Sequence, residues 1–231
     1  YWNKLEAAAS AGQLSDLITM HTNTIEMYVN NGFLEDLTDL TPYFSDFSYD
    51  NHPEDVKKLY RFDDKMWGVP KDFDCIVMIY RKDMFDAAGL DYPTDDWTWD
   101  DLEEAAAALT DKDAGVYGFG ARNDEQGGWA SFLYQNGGGI LNEDGSAALV
   151  DSPESIEAME WWIDLYKNYS PSQSSYSESD PQTVFAAGTV AMQTIGNWDL
   201  NYYFDNEELD GLWDISALPH PADGEKATIM N

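Results

Sequence analysis

Strands alternating with helices predict an α/β fold, and three stretches carry that prediction. Cys75-Ile76-Val77-Met78-Ile79-Tyr80 is an uninterrupted apolar run of strand length, rich in β-branched residues, as expected of a strand buried on both faces. Thr98 and Asp101 stand at capping-box spacing, ahead of an apolar stripe of Leu102, Ala105, Ala106 and Leu109. Ser152-Pro153 opens a long helical pattern with proline at its first position, and residues 189–195 then alternate as a strand.

In chain order, residues 4–11 read as the end of a helix stopped by Gly12. Residues 17–20 read as a short apolar strand. A polar tip follows, His21-Thr22-Asn23-Thr24, and then a helix with Ile25, Tyr28 and Val29 on one side, ended by Asn31-Gly32. Residues 37–50 form a polar connection with Pro42, and residues 53–59 a short helix. Trp67-Gly68-Val69-Pro70-Lys71-Asp72-Phe73-Asp74 suits neither helix nor central strand, because Gly68 permits positive φ while Pro70 fixes φ and lacks a donor. It reads either as a polar crossing between two lobes or as an ordinary surface loop entering a core strand. Cys75, the one cysteine, excludes an internal disulfide and reads as a small core hydrophobe.

Beyond the apolar run, residues 82–88 read as a short helix closed by Gly89. Residues 93–97 form a loop before Thr98, residues 116–120 a strand, and residues 129–135 a helix stopped by Asn136-Gly137-Gly138-Gly139. Asn142-Glu143-Asp144-Gly145 is a turn of hairpin type. The helix opened by Pro153 carries a stripe of Ile156, Met159, Ile163 and Tyr166, with Trp161 and Trp162 assigned to core packing. Residues 169–180 are serine-rich and read as a surface loop. Asp180-Pro181 starts another helix that stops at Gly188, Gly196-Asn197-Trp198 is a polar-aromatic turn, and Trp213, Ile215 and Ala217 alternate as a last strand.

The 231 residues allow one or two domains, with 43% apolar and 14% aromatic residues marking a globular chain. Forty-four acidic against 12 basic residues give a net charge of −32. Such a field excludes a nucleic-acid partner and disfavours an anionic membrane surface or an acidic ligand. Solubility outside the cell and life in high salt both fit it. The chain opens in what reads as mid-helix and closes in what reads as a strand, so we read it as the middle of a longer protein.

Catalytic signatures are scarce. His21, His52 and His220 are scattered, outside any nucleophile or metal motif. Close carboxylate pairs are unavoidable among 44 acidic residues and single out no glycosidase. Asp111-Lys112-Asp113-Ala114-Gly115 departs from a calcium loop in its glycine position and its missing acidic residue at position twelve. Gly137-Gly138-Gly139 follows a helix and so cannot cradle phosphate at a helix start. No metal and no cofactor is expected. What remains is tryptophan beside amides and carboxylates at loops and strand ends: Trp129 after Gly127-Gly128, Trp198 after Gly196-Asn197, and Asn23 and Asp74. Aromatic faces against sugar C–H faces, with Asp and Asn on the hydroxyls, can hold a neutral polar ligand. Core packing is the competing role for each tryptophan.

Taken in order, the motifs resemble those of the extracellular solute-binding proteins of ABC importers, of the sugar-binding kind that includes maltodextrin-binding proteins. The resemblance runs through Gly12-Gln13-Leu14-Ser15-Asp16-Leu17-Ile18, with Ser15 where proline is usual, and through Trp67-Gly68-Val69-Pro70 to Tyr80-Arg81-Lys82-Asp83-Met84-Phe85, with Arg81 where asparagine is common. Ala88-Gly89-Leu90, Pro93, Trp97-Thr98-Trp99-Asp100-Asp101-Leu102 and Asn136-Gly137-Gly138 continue it. Phe185-Ala186-Ala187-Gly188-Thr189-Val190-Ala191-Met192, Gly196-Asn197-Trp198 and Leu218-Pro219 complete it. The resemblance implies a two-lobe, type II periplasmic-binding-protein-like α/β fold, incomplete in this chain. Residues 1–73 would belong to the first lobe, 74–219 to the second, and 220–231 would cross back. It implies an extracellular or periplasmic protein, lipid-anchored or free and monomeric when complete, that binds a sugar between its lobes and delivers it to an ABC permease. A carbohydrate-active hydrolase and a surface lectin or adhesion module are the alternatives. The site residues it implies are Asn23, Thr24, Asp74, Trp129 and Trp198, with His21, Thr22 and Asn136 beside them.

Overall fold

The computed structural model describes residues 1–43, 51–142, 144–174, 176 and 181–230. Parts of five sequence readings lie outside them: residues 44–50 of the polar connection, Glu143 of the hairpin turn, Ser175 and residues 177–180 of the serine-rich loop, Asp180 as the start of the next helix, and Asn231 of the crossing. The chain divides into two compact units, Tyr1–Phe73 together with Met230, and Asp74–Ile229.

The first unit holds helices α1 (Trp2–Ser10), α2 (Thr22–Asn30) and α3 (Glu54–Lys58), a 3-10 turn at Thr38–Tyr43, and a hairpin of β1 (Arg61–Phe62) and β2 (Lys65–Met66). Leu5 and Ala9 of α1 and Tyr28 of α2 form its buried cluster, with Leu14, Ile18, Met20 and Leu34 packed against them. Residues 17–20 are not a strand, which corrects the sequence reading. Ile18 and Met20 turn inward, but Leu17 is 91% exposed. The backbone of Thr19 is met by a side chain instead of a ladder: the Tyr1 hydroxyl donates to Thr19 O at 2.8 Å and accepts from Thr19 N at 3.0 Å. The β1–β2 turn was not read from sequence. It places Asp63 and Asp64 at φ 54° and 57°, the left-handed pair that a tight hairpin turn requires and that aspartate tolerates.

The second unit is built on a four-stranded sheet of β3 (Val77–Arg81), β4 (Tyr117–Gly120), β5 (Val190–Ile195) and β6 (Trp213–Ser216), in the order β4-β5-β3-β6. β4 and β5 are parallel, while β3 is antiparallel to both β5 and β6. The apolar run behaves as expected of a strand covered on two sides. Ile76, Met78 and Tyr80 join one cluster, with α5 (Trp99–Ala108), α6 (Ala130–Gln135) and α7 (Pro153–Tyr169). Ile79 and Val77 face the other, with Phe185 of α8 (Pro181–Ala186) and Tyr203 of α9 (Asn197–Phe204). Cys75 is exposed, not core. It precedes the paired residues of β3, so the alternation that buries Ile76 turns Cys75 outward.

Two helix starts were legible. Thr98 and Asp101 make the reciprocal capping box of α5, and Ser152 caps α7 by accepting from Ser155 N. Gly89, at φ 68°, closes α4 (Lys82–Ala88) in the left-handed conformation that favours glycine. The stripe of α7, however, is one residue off. Ser155, Ala158, Trp162 and Leu165 are buried, while Ile156 and Ile163 are 47% and 39% exposed. Small Ser155 and Ala158 let the helix approach, and the Ser155 hydroxyl accepts from Gly139 N at 2.9 Å. Trp162 then meets Phe119 and Phe132 at 5.7 and 4.9 Å, and its large ring outweighs either isoleucine in apolar area covered. Trp161 stacks on Trp99 at 4.0 Å. Residues 221–229 lie along this unit: Thr228 Oγ1 accepts from Ile76 N and donates to Ile76 O, and Ile229 N donates to Ser131 Oγ at 3.0 Å.

Candidate ligand-binding site

Strand register decides which residues share an edge of the second unit's sheet. Gly120 at the end of β4 lies beside Gln193 near the end of β5, so residues 121–128 and 196–199 emerge at one edge. β3 runs the opposite way, and its first residue, Val77, pairs with Ile195. Asp74, three residues earlier and half-buried, therefore enters at that edge too. The ends of parallel strands are where open α/β sheets take ligands. The fold thus brings two sequence-predicted residues, Asp74 and Trp198, to one edge.

Trp198 does not sit in a turn, as the sequence suggested, but in the first turn of α9, after Gly196 as N-cap. Asn-Trp-Asp-Leu-Asn-Tyr-Tyr-Phe lacks a clean helical stripe, which hid the helix. The indole folds back over Gly196: a Cβ there would lie 2.1–2.5 Å from Cζ3, Cη2 and Cε3 of Trp198. Glycine is what lets the ring lie flat against the backbone. The ring remains 43% exposed, and one residue on, Asp199 is 1% exposed.

Asp199 belongs to a polar network that sequence reasoning missed. Arg122 Nε donates to Asp124 Oδ2 at 2.9 Å, and Arg122 Nη1 stands 3.6 Å from Asp199 Oδ2, an ion pair without a hydrogen bond. Gln182 Nε2 donates to Asp199 Oδ1. Burial pushes the Asp199 carboxyl above its usual range, and the Arg122 guanidinium partly opposes this. Behind them the buried Tyr176 hydroxyl donates to Gly120 O and Gln193 Oε1, and Gln193 Nε2 donates to the Tyr203 hydroxyl at 2.9 Å. Burial raises both phenols. The available signal was position: Arg122 and Asp124 are charges directly after a strand.

The other sequence-predicted residues lie elsewhere. Trp129 ends a π-helical turn, Glu125–Trp129, ahead of α6 instead of lying within it. Its half-buried ring lines an apolar groove of about 280 Å³ with Leu133, Val150, Ile156, Met159 and Ile163, on the α6–α7 side of the sheet. Asn136 Nδ2 donates to Glu154 O at 2.9 Å and Glu157 Oε2 at 3.2 Å, tying α6 to α7. In the first unit, His21 is the N-cap of α2, and Thr22, Asn23 and Thr24 form its first turn. His21 Nδ1 lies 2.9 Å from Asn23 Oδ1, and Thr24 Oγ1 donates to His21 O at 3.2 Å. Among the described residues no group of three or more His, Cys, Asp and Glu could hold a metal ion. Asp111 instead caps its own turn, accepting from Asp113 N and Ala114 N at 3.1 Å.

Over residues 1–230 the sequence matches the bacterial extracellular solute-binding protein family. The chain belongs to that family. An ABC substrate-binding protein of Listeria monocytogenes, solved in complex with cycloalternan, is 31% identical with a TM-score of 0.89, over 100% of this chain and 58% of that one. An ABC transporter solute-binding protein of Thermotoga lettingae, bound with α-D-tagatose, is 28% identical with a TM-score of 0.87, over 100% and 60%. An arabinooligosaccharide-binding protein of Halalkalibacterium halodurans is 28% identical over 70% of this chain and 37% of its own length. A Brucella abortus binding protein is 29% identical over 97% of this chain and 54% of its own. The chain therefore spans about half the length of these relatives and has part of a type II periplasmic-binding-protein-like α/β fold. Both the family and these neighbours are binding proteins.

Proposed function

We propose that the complete protein binds a neutral sugar, an oligosaccharide, and delivers it to the membrane permease of an ABC importer without chemical turnover. One observation carries the reading: an indole laid flat over Gly196 and half open to solvent, at the same sheet edge as the Asp74 carboxylate. A flat aromatic face with an acceptor nearby suits a sugar ring and its hydroxyls, and the net charge of −32 turns away anionic ligands. The sugars named with the Listeria, Thermotoga and Halalkalibacterium relatives support the same class. In this reading the two units are the present parts of the two lobes, residues 1–73 and 74–219, with 220–231 as the crossing. His21, Thr22, Asn23 and Thr24 are the first unit's contribution, and Asp74 and Trp198 lead the second's, with Trp129 and Asn136 as lesser contacts. The protein works outside the membrane as a monomer, held by a lipid anchor or free in the periplasm.

A glycan panel on the complete protein, read by calorimetry with product analysis of the same samples, tests this. The expected result is saturable binding of an oligosaccharide that is recovered intact. Release of shorter sugars, or binding of no glycan at all, would overturn it.

A further inference from the structure

Trp198 is partly exposed in the first turn of α9, whereas its neighbour Asp199 is among the most buried charges in the second unit. The buried carboxylate joins three segments. Gln182 of α8 donates to it, Arg122 after β4 pairs with it, and its own backbone N–H donates to Gly196 O at 3.1 Å, closing the turn on which the indole lies. Arg122 in turn organises the loop beneath. Asp124, its hydrogen-bond partner, accepts from Gly127 N at 2.6 Å. A Cβ on Gly127 would lie 2.9 Å from the guanidinium carbon, and one on Gly128 would lie 2.5 Å from Arg122 O. The Gly127-Gly128 pair therefore exists to let this loop close over Arg122. Gly127 O accepts from Thr194 Oγ1 of β5, which fixes the loop to the strand that leads into Gly196. π-turns such as Glu125–Trp129 recur at functional sites.

We propose that Arg122 is a positioning residue for sugar binding: through Asp199 it holds the first turn of α9 so that the Trp198 indole lies over Gly196 with its face open. This rests on the sugar-binding reading of Trp198 given above. Arg122 touches no ligand. Its planar fork bridges two carboxylates that a lysine ammonium cannot span with the same geometry.

The test uses the complete protein labelled with 5-fluorotryptophan, the Trp198 signal being assigned by Trp198→Phe and the Trp162 signal by Trp162→Phe. Arg122→Gln and Arg122→Lys are compared with Asp199→Asn, so that a variant that fails to fold leaves others to decide. The expected result is a displaced Trp198 resonance with an unchanged Trp162 resonance in each folded variant. Affinity for the glycan identified by the panel should fall about tenfold in Arg122→Gln, and the same change made in a Trp198→Ala background should cost nothing further. General loosening of the unit would instead cost affinity equally in both backgrounds, and that result overturns the proposal. An unmoved Trp198 resonance overturns it as well. Should no glycan bind the unmutated protein, the sugar reading falls, while a displaced Trp198 signal still upholds the hold of Arg122 on the indole.

Discussion

At the scale of single residues, Gly196 and Trp198 make one unit. The backbone of Gly196 is extended, at φ −103°, so alanine is conformationally acceptable there and any penalty comes from its methyl group meeting the indole. Gly196→Ala should lift the ring and weaken sugar binding at least tenfold by calorimetry, while the same change in Trp198→Ala should be neutral. Equal losses in both backgrounds would point to the backbone instead of the ring. Arg81 is a second residue with a definite role. Its guanidinium donates to both oxygens of Asp83, at 2.8 and 2.7 Å, and to Phe185 O and Ala186 O, so it ties α4 to the end of α8. These bonds hold the Asp83 carboxyl below its ordinary value. A depressed folded pKa contributes stability that is present above the unfolded value, about 3.9, and is lost as pH falls through the folded value. The melting temperature of the wild type should therefore exceed that of Asp83→Asn at pH 6, with the gap closing below about pH 4. Because Asp83 is partly exposed, solvent screening keeps the gap small. A gap independent of pH would remove the ion pair from the explanation.

Elements were legible wherever a local signal fixed them. The caps of α5 and α7, the glycine stop of α4 and the two-sided burial of β3 all follow from a few adjacent residues. Choices that depend on the rest of the molecule were not legible. In α7 two stripes one residue apart were both plausible, and the core took the one with Trp162, leaving Ile156, Met159 and Ile163 to line the groove beside Trp129. Trp162→Ala should cost about 3–5 kcal/mol in chemical denaturation, and Ile163→Ala well under that. Similar losses at the two positions would mean that both stripes are buried in solution. Residues 17–20 read as a short apolar strand, but the backbone partner of Thr19 is the Tyr1 side chain, which no local pattern announces. For the site, the tryptophans and Asp74 stood out by residue type. Arg122 and Asp199 did not, because a lone charge among 56 gives no sign that it will be buried.

On the scale of the whole molecule, a net charge of −32 over 231 residues imposes self-repulsion that salt relieves. The screening length falls from about 10 Å at 0.1 M to about 3 Å at 1 M. The thermal midpoint should therefore climb across that range of sodium chloride; a flat or falling midpoint would show that the charges are already well dispersed. The same charge disfavours an anionic ligand, which agrees with the neutral sugar proposed above. Everything in this reading converges on the indole at the start of α9. Calorimetric titration of the complete protein and its Trp198→Ala variant with the glycan that it binds is the most direct measurement. If Trp198 stacks on the sugar, truncation should cost about 2 kcal/mol or more, a drop of roughly thirtyfold in affinity, with the fold left nearly as stable as before. Unchanged affinity in the folded variant would contradict the sugar-stacking role.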